Sequence, residues 1–274
     1  MHTHSSRYWI EHFTRNAGIR RVNWDLVPAI TAAEKRRIVR SLKAWQLGET
    51  SDGAHLLLAA TRYAEAVGDA EYPDAVRLFI AEEQKHGRYL GRYLDLIGEP
   101  RLTRNWGDTL FRRVRYHNAS MELWTLAVIT VESAAQVFYR AMRDATSCVL
   151  LREICTDILV DEVAHIVFQK ERLHIIFQHK TPSAKRLSCH VYSIFFDCVG
   201  LVVWVAHRRL FRAGGVPLVP YLRKMRAKRR HVIGRAVLFG VADRRPSRAG
   251  ESTSHAVVRD PAERLRRPAP SRGE

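Results

Sequence analysis

The chain has 274 residues, 46% of them hydrophobic and 27% charged, which is the profile of an ordinary globular domain with length to spare for appendages. Its net charge of +17 is confined to the ends: residues 49–207 carry 18 Lys+Arg against 20 Asp+Glu, residues 1–48 carry 9 against 3, and residues 208–274 carry 18 against 5. A near-neutral middle argues against a nucleic-acid-binding core and makes nucleic acid an unexpected partner, while the basic flanks are open to an anionic membrane surface, nucleic acid or plain solubility.

In chain order, residues 1–30 form an N-terminal extension with no continuous apolar run, and no signal peptide is expected there. Thr31-Ala32-Ala33-Glu34 fits a capping box and opens an amphipathic helix towards Trp45. A second helical stretch runs from about Leu47 to Val67, with Leu56, Leu57, Ala60, Tyr63, Ala64 and Val67 on one stripe, and Gly68-Asp69 stops it. Pro73 stands where a first-turn proline is tolerated, and a third stretch continues to Ile97 before Gly98-Glu99-Pro100. Arg101 to Tyr116 reads as a connector longer than a helix-helix turn. A fourth helix spans roughly Ala119–Asp144 and a fifth Cys148–His179, closed by Thr181-Pro182-Ser183. A sixth, Ala184 to about Arg212, is the most apolar part of the chain, and a basic amphipathic helix follows from about Tyr221 to Phe239. Residues 243–274, rich in Arg, Pro, Ser and Gly, are expected to be disordered.

Two antiparallel helix pairs joined by one long crossover make an all-α, ferritin-like four-helix bundle over residues 31–180, counting the leading helix. Extra helices at both ends and a basic tail complete the expected architecture, with the apolar and basic helices of residues 184–240 as the C-terminal part.

Two blocks with one spacing carry the chemistry: Glu82-Glu83-Gln84-Lys85-His86 and Asp161-Glu162-Val163-Ala164-His165. A Glu and a His three residues apart leave the same face of a helix. Two such faces offer hard oxygen donors and imidazoles suited to iron, manganese or zinc. A dinuclear carboxylate site in such a bundle also takes one Glu from each of the two other helices. Glu132 lies in the otherwise apolar run Leu126–Ala135, where a lone carboxylate is costly unless paired or cation-bound. With the turn near Thr146, Glu132 and Glu162 stand at heights that agree within roughly 3 Å. On the helix before Glu83 the height argument prefers Glu49 to Glu65, which would sit at the turn; a first-turn acid favoured by the helix dipole is the other account of Glu49. Glu82 and Asp161, each four residues before a histidine, are placed to reach the far ring nitrogen of the histidine on their own helix and to orient it.

Gly48-Glu49-Thr50 followed by Phe79-Ile80-Ala81-Glu82-Glu83-Gln84-Lys85-His86 resembles the first helix pair of the rubrerythrin and ferritin-like superfamily, and Asp161-Glu162-x-x-His165 resembles the second motif of bacterial dinuclear-iron oxygenases. The resemblance covers residues 45–180. It implies two iron ions held by Glu49, Glu83, His86, Glu132, Glu162 and His165, with manganese or a mixed Mn/Fe pair as alternatives, and O2 or peroxide as the oxidant. The chain departs from rubrerythrins in having no rubredoxin module: Cys148, Cys155, Cys189 and Cys198 form no C-x-x-C pair. Electrons are therefore expected from an external donor, and the thiols are expected to be reduced in a cytoplasmic protein.

Three points stay open at this level. His12, His117, His174, His179, His190 and His207 have no partner at ligand spacing and read as surface or core residues, while Tyr63, Gln136 and Tyr139 are candidates to line a cavity beside the site. Val191–Ala206 falls short of the roughly 20 residues that span a bilayer; it reads as an extra helix packed on the bundle, with an interfacial or membrane-inserted helix at the inner membrane face, anchored by Arg208, Arg209, Arg212 and the later basic helix, as the alternative. The leading function is an O2- or peroxide-activating oxidoreductase, and a homodimer is compatible with it. The competing reading is a non-enzymatic, metal-binding and membrane-associated bundle.

Overall fold

The computed structural model describes residues 3–106 and 120–234. The expectations for His117, for most of the connector, for the end of the basic helix and for the tail fall outside those residues. The described elements are α1 (Ser6–Ala17), α2 (Ala32–Gly48), α3 (Ala54–Val67), α4 (Tyr72–Leu96), α5 (Met121–Asp144), α6 (Val149–Gln178), α7 (Pro182–Ala213) and α8 (Leu218–Ile233), with no strand among the described residues.

α5 and α6 form the most intimately packed pair; α2 and α3 both lie against α4, and α4 faces α6. Two apolar clusters fill the interior. One gathers Leu56, Phe79, Val128 and Phe168; the other gathers Ile38, Leu42, Leu90, Ala135 and Ile158. Along α4, α5 and α6 the polar residues Glu83, His86, Glu132, Glu162 and His165 fall between those clusters, so the bundle holds a polar layer sandwiched by hydrocarbon.

Two differences from the sequence reading concern the N-terminal third. Residues 1–30, expected as an extension, hold α1, which packs on α4 and buries Trp9 and Phe13 in the first cluster. The stretch expected as one helix from Leu47 to Val67 is broken. α2 runs on through Gly48, Glu49 caps its C-terminus, and α3 starts at Ala54. The break is built by Gly53, whose φ of 69° is left-handed, with Asp52 Oδ1 accepting from Ala54 N at 3.1 Å. A Cβ on Gly53 would meet the Ile80 side chain at 2.6 Å.

The capping box at Thr31 forms as read, and Glu34 does more than cap. Its other oxygen accepts from Ser147 N at 2.6 Å, tying the start of α2 to the α5–α6 turn. Burial opposes ionisation, but the hydrogen bonds from Ser147 and Thr31 together outweigh it and hold the Glu34 carboxyl at about 2. A carboxyl depressed in the folded state adds stability above its unfolded value and loses it as the pH falls through the folded value. Glu34→Gln is therefore expected to lower stability at pH 7, with the deficit shrinking as the pH drops from about 4.5 towards about 2. Chemical denaturation across that range checks it.

Candidate metal centre

Glu83 and His86 project from α4, Glu132 from α5, and Glu162 and His165 from α6. Glu49 arrives differently from the sequence reading, from the C-terminal end of α2. There the helix dipole disfavours a carboxylate, so a first-turn role does not account for it. Its backbone comes close to α4 because residue 87 is glycine: a Cβ there would stand 3.0 Å from the Glu49 carbonyl oxygen. Trp45 Nε1 and Tyr139 Oη both donate to Glu49 Oε1, at 2.9 and 2.7 Å, which fixes that oxygen and leaves the other for a further contact.

The structure brings all six residues together. Their donors fall into two overlapping groups, Glu49, Glu83 and His86 in one and Glu83, Glu132, Glu162 and His165 in the other, with donor atoms within 4.8 Å of each other in each group. Glu83 belongs to both, the arrangement of a carboxylate placed between two cations. His86, Glu162 and His165 are completely buried, and Glu49 and Glu132 nearly so. The Nδ1 atoms of both histidines, Glu83 Oε1 and both carboxylate oxygens of Glu162 are buried without a well-formed hydrogen bond, although His165 Nδ1 lies 2.8 Å from Glu83 Oε1.

Four carboxylates cannot all stay ionised in this interior without compensating charge. Burial and the charge of Glu83 push Glu49 well above the usual carboxylate range; burial and Glu132 do the same to Glu162, and more mildly to Glu83. Burial also works against ionisation of Glu132, but Glu162 and His165 beside it hold its carboxyl low. Burial would neutralise His165, yet Glu83, Glu132 and Glu82 raise it well above its ordinary value. Protons take the place of positive charge here. Two divalent cations would neutralise the four carboxylates and satisfy the orphaned imidazole nitrogens, so the residues fit a metal pair.

The acids ahead of each motif are wired across the bundle, not along their own helices. His86 Nε2 lies 3.1 Å from Asp161 Oδ2 on α6, and His165 Nε2 lies 2.8 Å from Glu82 Oε2 on α4. A carboxylate at Nε2 keeps the proton there and turns the Nδ1 lone pair into the site. The expectation of pairing within one helix fails because the ring of each histidine points inward, where the facing helix, and not its own preceding turn, lies beyond Nε2.

α1 joins the two crossed pairs. The Asn16 side-chain amide donates to Glu82 Oε1 and, at 2.8 Å, to Asp161 Oδ1. Arg21 donates to Asp157 at 2.8 Å and to the Asn16 amide oxygen, and Lys85 Nζ donates to Asp161 at 2.5 Å. The contacts with His86 and then Lys85 outweigh the cost of burial and hold the Asp161 carboxyl far below its usual range; the His165 contact holds Glu82 low against burial. Sequence reasoning missed Asn16 and Arg21, which lie 66 and 140 positions from the acids they touch. Lys85 stood inside the motif and was the one visible signal. Of the proposed cavity residues, Tyr139 touches Glu49 and Gln136 Nε2 donates to the Glu162 carbonyl at 3.0 Å, whereas Tyr63 stacks edge-on with Tyr72 away from the centre.

Beside Glu49, Glu83 and Glu132 opens a cavity of about 420 Å³ with walls of Leu56, Phe79, Trp124, Val128 and Val203. His207 also faces it, at a break in α7 where φ is −115° and ψ 20°. Burial pushes His207 down to about 4, a neutral imidazole at physiological pH.

The fold and this layer together define a ferritin-like helical bundle. No protein-family model matches the chain, and no curated protein matches its sequence. Among solved structures it is similar to two variants of an R2-like ligand-binding oxidase. One was anaerobically reconstituted with a Mn/Fe cofactor, at 15% identity and a TM-score of 0.56 over 84% of this chain and 94% of that one. The other was aerobically reconstituted with Mn/Fe, at 14% identity and the same TM-score over 84% and 93%. At such identity the likeness is one of fold.

If the crossed pairs aim the imidazoles, Asn16→Ala is expected to weaken metal binding about 10–100-fold while the chain stays folded. Competition against a chelator, with circular dichroism as the folding control, checks it; unchanged affinity would sink the role given to α1.

Proposed function

We propose that the chain is a dinuclear metal oxidase whose ligands are Glu49, Glu83, His86, Glu132, Glu162 and His165. Glu83, shared by both donor groups, would serve both ions, and Glu82 and Asp161 hold the imidazoles. The observation that carries the reading is the donor set itself: two overlapping groups sharing one carboxylate, with His86 Nδ1 and both Glu162 oxygens buried without a hydrogen bond. Iron fits the mixed oxygen and nitrogen donors, and so does a Mn/Fe pair of the kind in the similar oxidase structures.

When bound, the metal pair supplies the redox chemistry for reducing O2. The chain's own residues do the rest. Asp161 and Glu82 fix the tautomer of His86 and His165 and raise their basicity. Trp45 and Tyr139 clamp one oxygen of Glu49. The apolar walls beside Glu49, Glu83 and Glu132 keep bulk water out and receive an apolar substrate next to the centre. No C-x-x-C pair supplies an internal electron relay, so the reducing equivalents come from an external donor.

Chain purified after expression with iron and manganese is expected to carry about two metal ions, and the chemically reduced protein is expected to consume O2. Glu132→Ala should lose most of the metal and the O2 uptake together. Well under one metal per chain in the parent protein would overturn the reading. Full occupancy by zinc with no O2 uptake would favour a non-enzymatic metal-binding bundle instead.

A further inference from the structure

α7 has two apolar sides, and only one is used. Tyr192, Phe196, Gly200 and Trp204 are buried against the bundle, where α7 packs on α2, α5 and α8. Leu187, Val191, Ile194, Leu201, Val202 and Val205 are between 42% and 66% exposed. At 100° per residue these six and the exposed Cys198 fall within an arc of about 100°, a continuous apolar stripe about 27 Å long. Isolated exposed apolar residues are ordinary; a stripe of this length marks a surface that is covered by something.

Three observations say what covers it. The stripe ends in Arg208, Arg209 and Arg212, and the neighbouring α8 turns Arg223, Lys224, Arg226 and Arg230 to the surface with no acidic residue of its own. Trp106, an indole 54% exposed, stands on the same cavity that Cys198 and Val202 line. Apolar stripe, flanking cations and boundary indole are the recognition elements of an anionic bilayer surface. By length and composition α7 could cross a bilayer, but the bundle occupies its inner face, so its free apolar surface is one-sided and suits a helix lying in the interface.

The decisive point is where the cavity opens. Cys198 and Val202 belong both to the exposed stripe and to the wall of the cavity that ends at Glu49, Glu83 and Glu132. We propose that the chain docks on anionic membrane through the outer face of α7, and that its substrate is an apolar, membrane-dissolved molecule that enters the cavity sideways past Cys198 and Val202 without crossing water. This rests on the proposed oxidase reading for what happens at the inner end, but the docking itself does not depend on the metals.

The test uses the full chain. It is expected to float with vesicles of phosphatidylcholine containing about 30% phosphatidylglycerol, and much less with phosphatidylcholine alone. Ile194→Glu combined with Val205→Glu, both outside the cavity wall, should cut flotation at least about 10-fold with metal content unchanged. A fluorophore on Cys198, in a Cys189→Ser background, should be quenched by nitroxide-labelled lipid. Flotation of the double variant equal to the parent, abolished by salt, would mean that the basic segments alone bind, and would overturn the proposal. So would absence of quenching at Cys198, or a dimer in light scattering that the double variant dissociates while vesicles leave the parent unbound, since a second copy would then cover the face. Metal-depleted Glu132→Ala should float like the parent; if it does and the parent holds no redox metal, the oxidase reading fails while the docking stands.

Discussion

Everything in this bundle answers to one constraint: three buried carboxylates, a fourth that is partly buried, and two buried imidazoles lie between two layers of hydrocarbon. No arrangement of that many acids is stable in such surroundings unless positive charge is supplied. Burial and mutual repulsion drive Glu49 and Glu162 upward, and the acids around His165 raise it well above its ordinary value against burial, so protons can supply part of it. The helices are placed accordingly. α4, α5 and α6 contribute their acids at one level, and the end of α2 is drawn in over a glycine so that a fourth carboxylate reaches the same level from a direction a continuous helix could not offer.

A second tier surrounds that layer and carries the opposite electrostatic logic. Asp161 meets Lys85 and Arg21, and the Asn16 amide bridges it to Glu82, so these two acids act as fixed negative ends for the histidine rings. The inner acids need a cation that is not part of the chain; the outer acids have found theirs within it. That division of labour separates groups that bind from groups that hold. It also explains why a short N-terminal helix, far from any ligand in sequence, packs where it does.

Much of this was legible in the chain. The Glu-x-x-His repeats pointed to α4 and α6, although α6 shows little amphipathic period, and the cost of Glu132 in an apolar run singled it out. Heights along the helices were enough to bring Glu49 into consideration. What stayed hidden depends on tertiary geometry. Helical period does not reveal that Gly53 breaks the chain just after Glu49, because a glycine in a left-handed turn and one inside a helix look alike in sequence. Nor does it reveal which histidine an acid serves, since that is decided by the helix opposite. Asn16 and Arg21 lie in a segment expected as an extension, although Ser6, Trp9, Phe13 and Asn16 recur at helical spacing along it, and their partners are dozens of positions away.

The crossing of the acid–histidine pairs carries one more implication. Each of the two hydrogen bonds runs between α4 and α6, in opposite senses, so sliding or turning either helix by a single residue would break both at once. The pairs act as a register lock between two helices whose direct packing is modest. The lock is closed by the protein alone, with Nε2 of each ring already engaged and Nδ1 already turned inward. A metal pair taken up here would thus meet imidazoles already oriented by atoms it would not touch, so that its uptake would fill the centre without refolding the helices.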